Sequence, residues 1–143
     1  MKKEFIPYEQ ALALKELGFN EPCIAIYSNA NPKTGLYTLK KYRLKLIKQA
    51  SQKDKGVKAP LYQQVFRWFR EKHVLLGFIE PANGYEDKSL FAFYICDDEQ
   101  NIIDDEHSYS KDSSLHYKTY EEAELACLTK LIEIKTDLDG PSN

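Results

Sequence analysis

Seven consecutive residues, Leu90-Phe91-Ala92-Phe93-Tyr94-Ile95-Cys96, constrain the fold more than any other part of the chain. Successive side chains of a strand point to opposite faces, so a strand built from this run is apolar on both. Such a strand is stable only inside a sheet that is covered on both sides. The run therefore predicts a central strand in a layered fold, with helices supplying the cover.

The helices are legible from their ends. Pro7 suits a first helical position, where its missing N–H costs nothing. Residues 8–17 then read as helix, with Ala11, Leu12, Leu14 and Leu17 as the apolar side. Gly18 stands where a left-handed C′ residue is needed, with Phe19 at C″ and Leu14 at C3 as its apolar partner. A second helix is expected over 60–72, with Pro60 in its first turn. Leu61, Val65, Trp68 and Phe69 form its stripe, Tyr62 and Phe66 widen it, and Gln63, Gln64, Arg67, Arg70 and Glu71 face away. The third begins with a capping box. Thr119 accepts from the N–H of residue 122, and Glu122 reaches back to the Thr119 N–H. Its stripe is Tyr120, Ala123, Cys127, Leu131 and Ile134.

Strands fill the intervals. Residues 23–27 and 36–42 read as a hairpin around turn chemistry at 29–35. Residues 43–50 fit both strand alternation and helical spacing, and are read as a strand fading into a loop. Residues 51–59 are expected to be a polar connection. Residues 74–80 and 90–96 read as strands, 98–101 as a turn, Ile102-Ile103 as the opening of a further short strand, and 107–118 as a loop. The order α-β-β-α-β-β-(β)-α predicts a single α+β domain over residues 1–136. It would hold a largely antiparallel sheet of about four to five strands and three helices. A polar, frayed tail is expected over 137–143.

With 143 residues, a single core can bury roughly 70% of the extended-chain surface without a metal or disulfide staple. No apolar run approaches the ~18–20 residues of a membrane span. The basic start Met1-Lys2-Lys3 is not followed by the apolar stretch of a signal peptide. Cys23, Cys96 and Cys127 are odd in number and widely spaced, which suits reduced thiols packed as small hydrophobes. The expectation is a cytoplasmic protein with no membrane association.

Several chemistries are excluded by spacing. The glycines at 18, 35, 56, 77, 84 and 140 are too far apart for a dinucleotide fingerprint, a phosphate loop or a nucleophile elbow. His73, His107 and His116 form no metal-binding pair on one helix turn. His107 and His116 flank a serine-rich segment and read as exposed loop residues. The run from Asp97 to Glu106 carries six carboxylates in ten residues. It fails as a calcium loop, because Ile102 stands where the turn glycine is required and Ser108 where the bidentate Glu is required. It reads as a solvated turn. No catalytic residue, metal site or cofactor is expected, and the chain does not read as an enzyme.

Charge is divided along the chain. Residues 1–73 hold fifteen basic and six acidic residues, net +9, and residues 74–143 hold five and sixteen, net −11. The sharpest feature is Lys40, Lys41, Arg43, Lys45, Lys48, Lys53, Lys55 and Lys58, opposed by Asp54 alone. Such a stretch can neutralise several phosphates, so a nucleic acid is an alternative partner. Against it, lysine outnumbers arginine seven to one here, and arginine dominates base readout.

Three segments together carry a resemblance. They are Glu4-Phe5-Ile6-Pro7-Tyr8-Glu9 continuing to Cys23, Pro60-Leu61-Tyr62-Gln63-Gln64-Val65-Phe66-Arg67-Trp68-Phe69-Arg70-Glu71-Lys72, and Thr119-Tyr120-Glu121-Glu122-Ala123-Glu124-Leu125-Ala126-Cys127-Leu128. The combination resembles a group of small proteins of gut bacteria and their phages and prophages. The resemblance implies a bacterial, cytoplasmic, phage-related protein, and implies no activity or site residue. The absence of catalytic motifs and the ten tyrosines and one tryptophan point to a small accessory module. It would bind a protein partner or itself, since such side chains favour interfaces. The remote third reading is an enzyme with a dispersed site.

Overall fold

The computed structural model describes residues 4–28, 35–38, 56–82, 90–104 and 116–140. The elements are α1 (Tyr8–Glu16), β1 (Ala25–Ser28), β2 (Leu36–Thr38), β3 (Gly56–Lys58), α2 (Tyr62–His73), β4 (Leu76–Pro81), β5 (Phe91–Cys96), β6 (Ile102–Asp104) and α3 (Tyr120–Asp139). The class is α+β, and the expected order holds with one strand added, β3. The strands form two three-stranded antiparallel sheets, β2-β1-β3 and β4-β5-β6. The chain gathers into two compact units, Met1–Gln64 and Val65–Asn143, with the boundary inside α2. The expectations for 29–34, 39–55, 83–89, 105–115 and 141–143 lie outside the described residues.

In the first unit, α1 ends as its sequence demands. Gly18 adopts φ +90°, its N–H donates to the Lys15 carbonyl, and the Phe19 N–H donates to that of Leu14 at 2.9 Å. That is the paired-bond termination that a left-handed C′ glycine permits, and Leu14 and Phe19 are both buried. Pro7 differs from expectation. It is extended, with ψ 158°, and stands as the N-cap just outside the helix. Leu12, expected on the apolar side, is exposed.

The central strand β1 pairs Ile26 with Tyr37 of β2 on one edge and with Lys58 of β3 on the other. Ala25, Ile26 and Tyr27 are all buried, so side chains on both faces of β1 are covered. The connection expected over 51–59 therefore closes into a strand at 56–58. Its single large apolar residue, Val57, is buried. Phe5 bridges Leu61, and the Ile6 N–H donates to the Pro60 carbonyl. Pro60 is thus held in extended chain before α2 rather than in its first turn.

In the second unit, β5 lies between β4 and β6, and Ala92, Phe93, Ile95 and Cys96 are buried. The apolar run 90–96 is a central strand, but the cover expected on both faces is incomplete, since Tyr94 is half-buried and its partner Phe78 is exposed. Helix α3 packs on β4 and β5 through Ala123, Cys127, Leu128 and Leu131. Its cap departs from the expected box in one detail. Thr119 Oγ1 accepts from the Glu122 N–H at 3.1 Å, but the Glu122 carboxylate takes the Lys118 N–H at 3.2 Å. The helix continues to Asp139, three residues into the segment read as a polar tail. Val74, expected to open a strand, instead ends α2 in the left-handed region with φ 57°.

Candidate functional site

Seven of the eight residues of the basic stretch, Lys40, Lys41, Arg43, Lys45, Lys48, Lys53 and Lys55, lie outside the described residues. Lys58 ends β3. Its ammonium donates to the Asn20 carbonyl at 3.2 Å, to Asn20 Oδ1 at 3.1 Å and to the Glu21 carbonyl at 3.1 Å. All three donors of a lysine are thus engaged on the turn that follows α1. Gln64 supports the same turn, donating to the Pro22 carbonyl at 2.8 Å, so it does not simply face solvent.

The thiols are poor nucleophiles. Burial pushes Cys23 up to about 11, partly offset by the Lys58 charge. Burial also raises Cys96. Cys127 is raised most, by burial and then by the charges of Asp104 and Glu124. The thiolate is the reactive form, so at neutral pH all three are held as thiols. Among the described residues, no three His, Cys, Asp or Glu side chains are grouped to hold a metal ion.

The acidic run divides in two. Asp97 makes the expected turn. Its Oδ1 accepts from the Glu99 and Asn101 N–H groups and its Oδ2 from Asn101 Nδ2, which together hold its carboxyl below the usual range. Asp104 corrects the solvated reading, because it is only 9% exposed. The cause is a bulge. Ile95 pairs with Asp104 while the next residue, Cys96, pairs with Ile102. Ile103 is the extra residue, and Asp104 is carried to the face that α3 covers. There Lys130 of α3 stands 4.0 Å from Asp104 Oδ2. Tyr117 belongs to the same cluster, its phenol raised by burial and then by Cys127 and Asp104. A regular strand would have buried Ile103 and exposed Asp104; the protein does the reverse.

His116 corrects a second expectation. The sequence places it in an exposed loop, yet both ring nitrogens are buried without a hydrogen-bond partner among the described residues. Its neighbour Tyr117 bridges Phe91, with both backbone bonds at 2.8 Å. That pairing pulls the start of α3 onto β5, which a serine-rich segment does not announce.

The opposite face of this sheet differs in character. A Cβ at Gly77 would meet Cys127 Sγ at 2.7 Å, so Gly77 and its partner Ile95 face α3. Alternation then places Phe78, Tyr94 and Ile102 on the other face. Phe78 and Tyr94 are directly paired and their rings stack at 5.0 Å. Phe78 is 41% exposed and Ile102 47%. These are large apolar side chains left on a sheet whose other face is closed. Their alternation was readable, but which face the helix would take was not.

No helix among the described residues is long and apolar enough to cross a membrane. No protein-family model, curated protein or solved structure matches the chain.

Proposed function

We propose that the protein is a small non-enzymatic module that binds another protein chain, a partner or a second copy, through the outer face of the β4-β5-β6 sheet. The observation that carries this reading is the exposed pair Phe78 and Ile102 with the half-buried Tyr94 on the same face, Phe78 and Tyr94 already stacked. Pre-ordered aromatic rings lose little conformational freedom on binding, which favours them as anchors. The protonated thiols and the Asp104–Lys130 pair give no reason to prefer a reaction. We place the protein in the cytoplasm of a bacterium, with a phage-related origin, as the sequence resemblance implies.

Size-exclusion chromatography with light scattering tests the second-copy form. A concentration-dependent rise in mass that F78S/I102S abolishes, with unchanged circular dichroism, supports it. A strict monomer at high concentration removes that form and leaves the partner protein. Equal behaviour of the variant and the parent in both self-association and partner binding would sink the face.

A further inference from the structure

The C-terminal turn of α2 holds an arrangement that the interaction face does not use. His73, the last residue of the helix, packs edge-on against Trp68 with ring centroids 4.3 Å apart, and against Phe69 at 5.9 Å. Its Nε2 is buried with no hydrogen-bond partner among the described residues. From α3, the charged groups that act on it are Lys135 and Asp139, themselves joined as an ion pair. On its own helix Arg70, Glu71 and Lys72 precede it. Immediately after it, Val74 is held at φ 57°. That region is costly for a β-branched residue, so the junction is strained where the histidine sits.

We propose that His73 is a proton-operated latch that holds the C-terminal turn of α2 closed on Trp68. In the neutral form the imidazole lies against Trp68 and its buried nitrogen needs no acceptor. Protonation places a second N–H where nothing accepts it, and a positive charge beside the Lys135 ammonium. Asp139 offsets this only in part, because it is already paired with Lys135. The charged ring is expelled toward water, and the strain at Val74 favours the release of the turn.

The direction of the pH effect follows. Burial, reinforced by Lys135 and opposed by Asp139, lowers His73 from the ordinary value of 6.5. A histidine that is harder to protonate in the fold than in the unfolded chain costs nothing above 6.5. Its stabilising contribution is lost as pH falls from there through the folded value. The latch is closed at neutral pH and opens on acidification.

Trp68 is the chain's one tryptophan, so tryptophan emission reads the surroundings of this ring, and the His73 variants isolate the contribution of the contact. Titrating the intact protein from pH 8 to 5 should give a reversible transition with a midpoint below 6.5. The transition should vanish in H73F, which keeps an aromatic ring, and in H73Q, a second variant should the first fold poorly. K135Q should move the midpoint up and D139N down. Hydrogen exchange of the amides at 70–73 should speed up across the same midpoint. A transition that persists in both His73 variants, a midpoint above 6.5, or exchange at 70–73 that ignores the midpoint would each overturn the latch.

Discussion

The two units treat their polar groups in opposite ways. In the first, buried and half-buried polar groups are closed by short internal bonds. Tyr27 Oη donates to the Ile6 carbonyl at 2.7 Å, Lys58 spends three donors on Asn20 and Glu21, and Gln64 holds Pro22. In the second, His73 Nε2 and both nitrogens of His116 are buried without partners. A bulge buries Asp104 and turns Ile103 out, and Phe78 and Ile102 stand exposed. Satisfied polar groups rigidify a fold, whereas unsatisfied ones and stray apolar surface persist where something besides stability is served. Leu12 and Ile24 of the first unit are exposed too, so it is the unsatisfied polar groups and the stacked Phe78–Tyr94 pair that make the second unit the place to test the proposed interaction.

The largest expected effect probes the closed face of the second unit. G77A would set its methyl 2.7 Å from Cys127 Sγ and 2.9 Å from Phe66 Cε1. Overpacking of this kind costs about 1–3 kcal/mol, read as a lower urea midpoint. C127A should recover part of that loss in the double variant, because it empties the space the methyl needs. A neutral G77A would mean that α3 lies less closely on β4 than described.

In the first unit, K58M leaves three oxygens of the Asn20–Glu21 turn without their donor. The loss should be about 1–2 kcal/mol, discounted for the partial exposure of the site. If stability is unchanged, Lys58 is not a tie, and the first unit is less closed than its bonds suggest.

In the second unit the same logic predicts the opposite sign. H116F replaces a ring whose nitrogens lack partners with an apolar ring of similar shape. Thermal unfolding should show a gain of up to about 1 kcal/mol, since the desolvation of two polar atoms is removed. A clear destabilisation would reveal that His116 is held by bonds, and the contrast between the units would weaken.

The smallest effect is expected at Val74. V74G gives up the strain of a β-branched residue at φ 57°, against the larger chain entropy of glycine. The net gain should be about 0.5 kcal/mol. In the same variant the acid transition of Trp68 should move to lower pH, because less strain favours the release.

Much of this was legible where backbone chemistry is local. Gly18 announced its own positive φ, Thr119 its cap, and the apolar run at 90–96 its place between two strands. The failures share a cause. The three residues of β3 look like the polar connection before them, and become a strand only because β1 needs a second edge partner far away in sequence. Asp104 and Ile103 exchange faces through a bulge, which overrides the alternation that a sequence reading relies on. The ring nitrogens of half-buried His116 are closed off beside the pairing of Tyr117 with Phe91, again a distant contact. In the candidate site, therefore, Phe78 and Tyr94 were visible as strand residues but not as one stacked pair. Lys58 was visible as a charge but not as a tie.

Site-specific photo-crosslinking compares the two units most directly. A photoreactive residue replaces Phe78 in one variant and Ile24, the 49% exposed apolar residue of the first unit, in another. Both are irradiated as purified protein and in the native cell. The account predicts a discrete adduct from position 78, a double-mass species or a defined heteromer, that I102S suppresses, and none from position 24. Equal labelling from both positions, or none from position 78 in either setting, would contradict it.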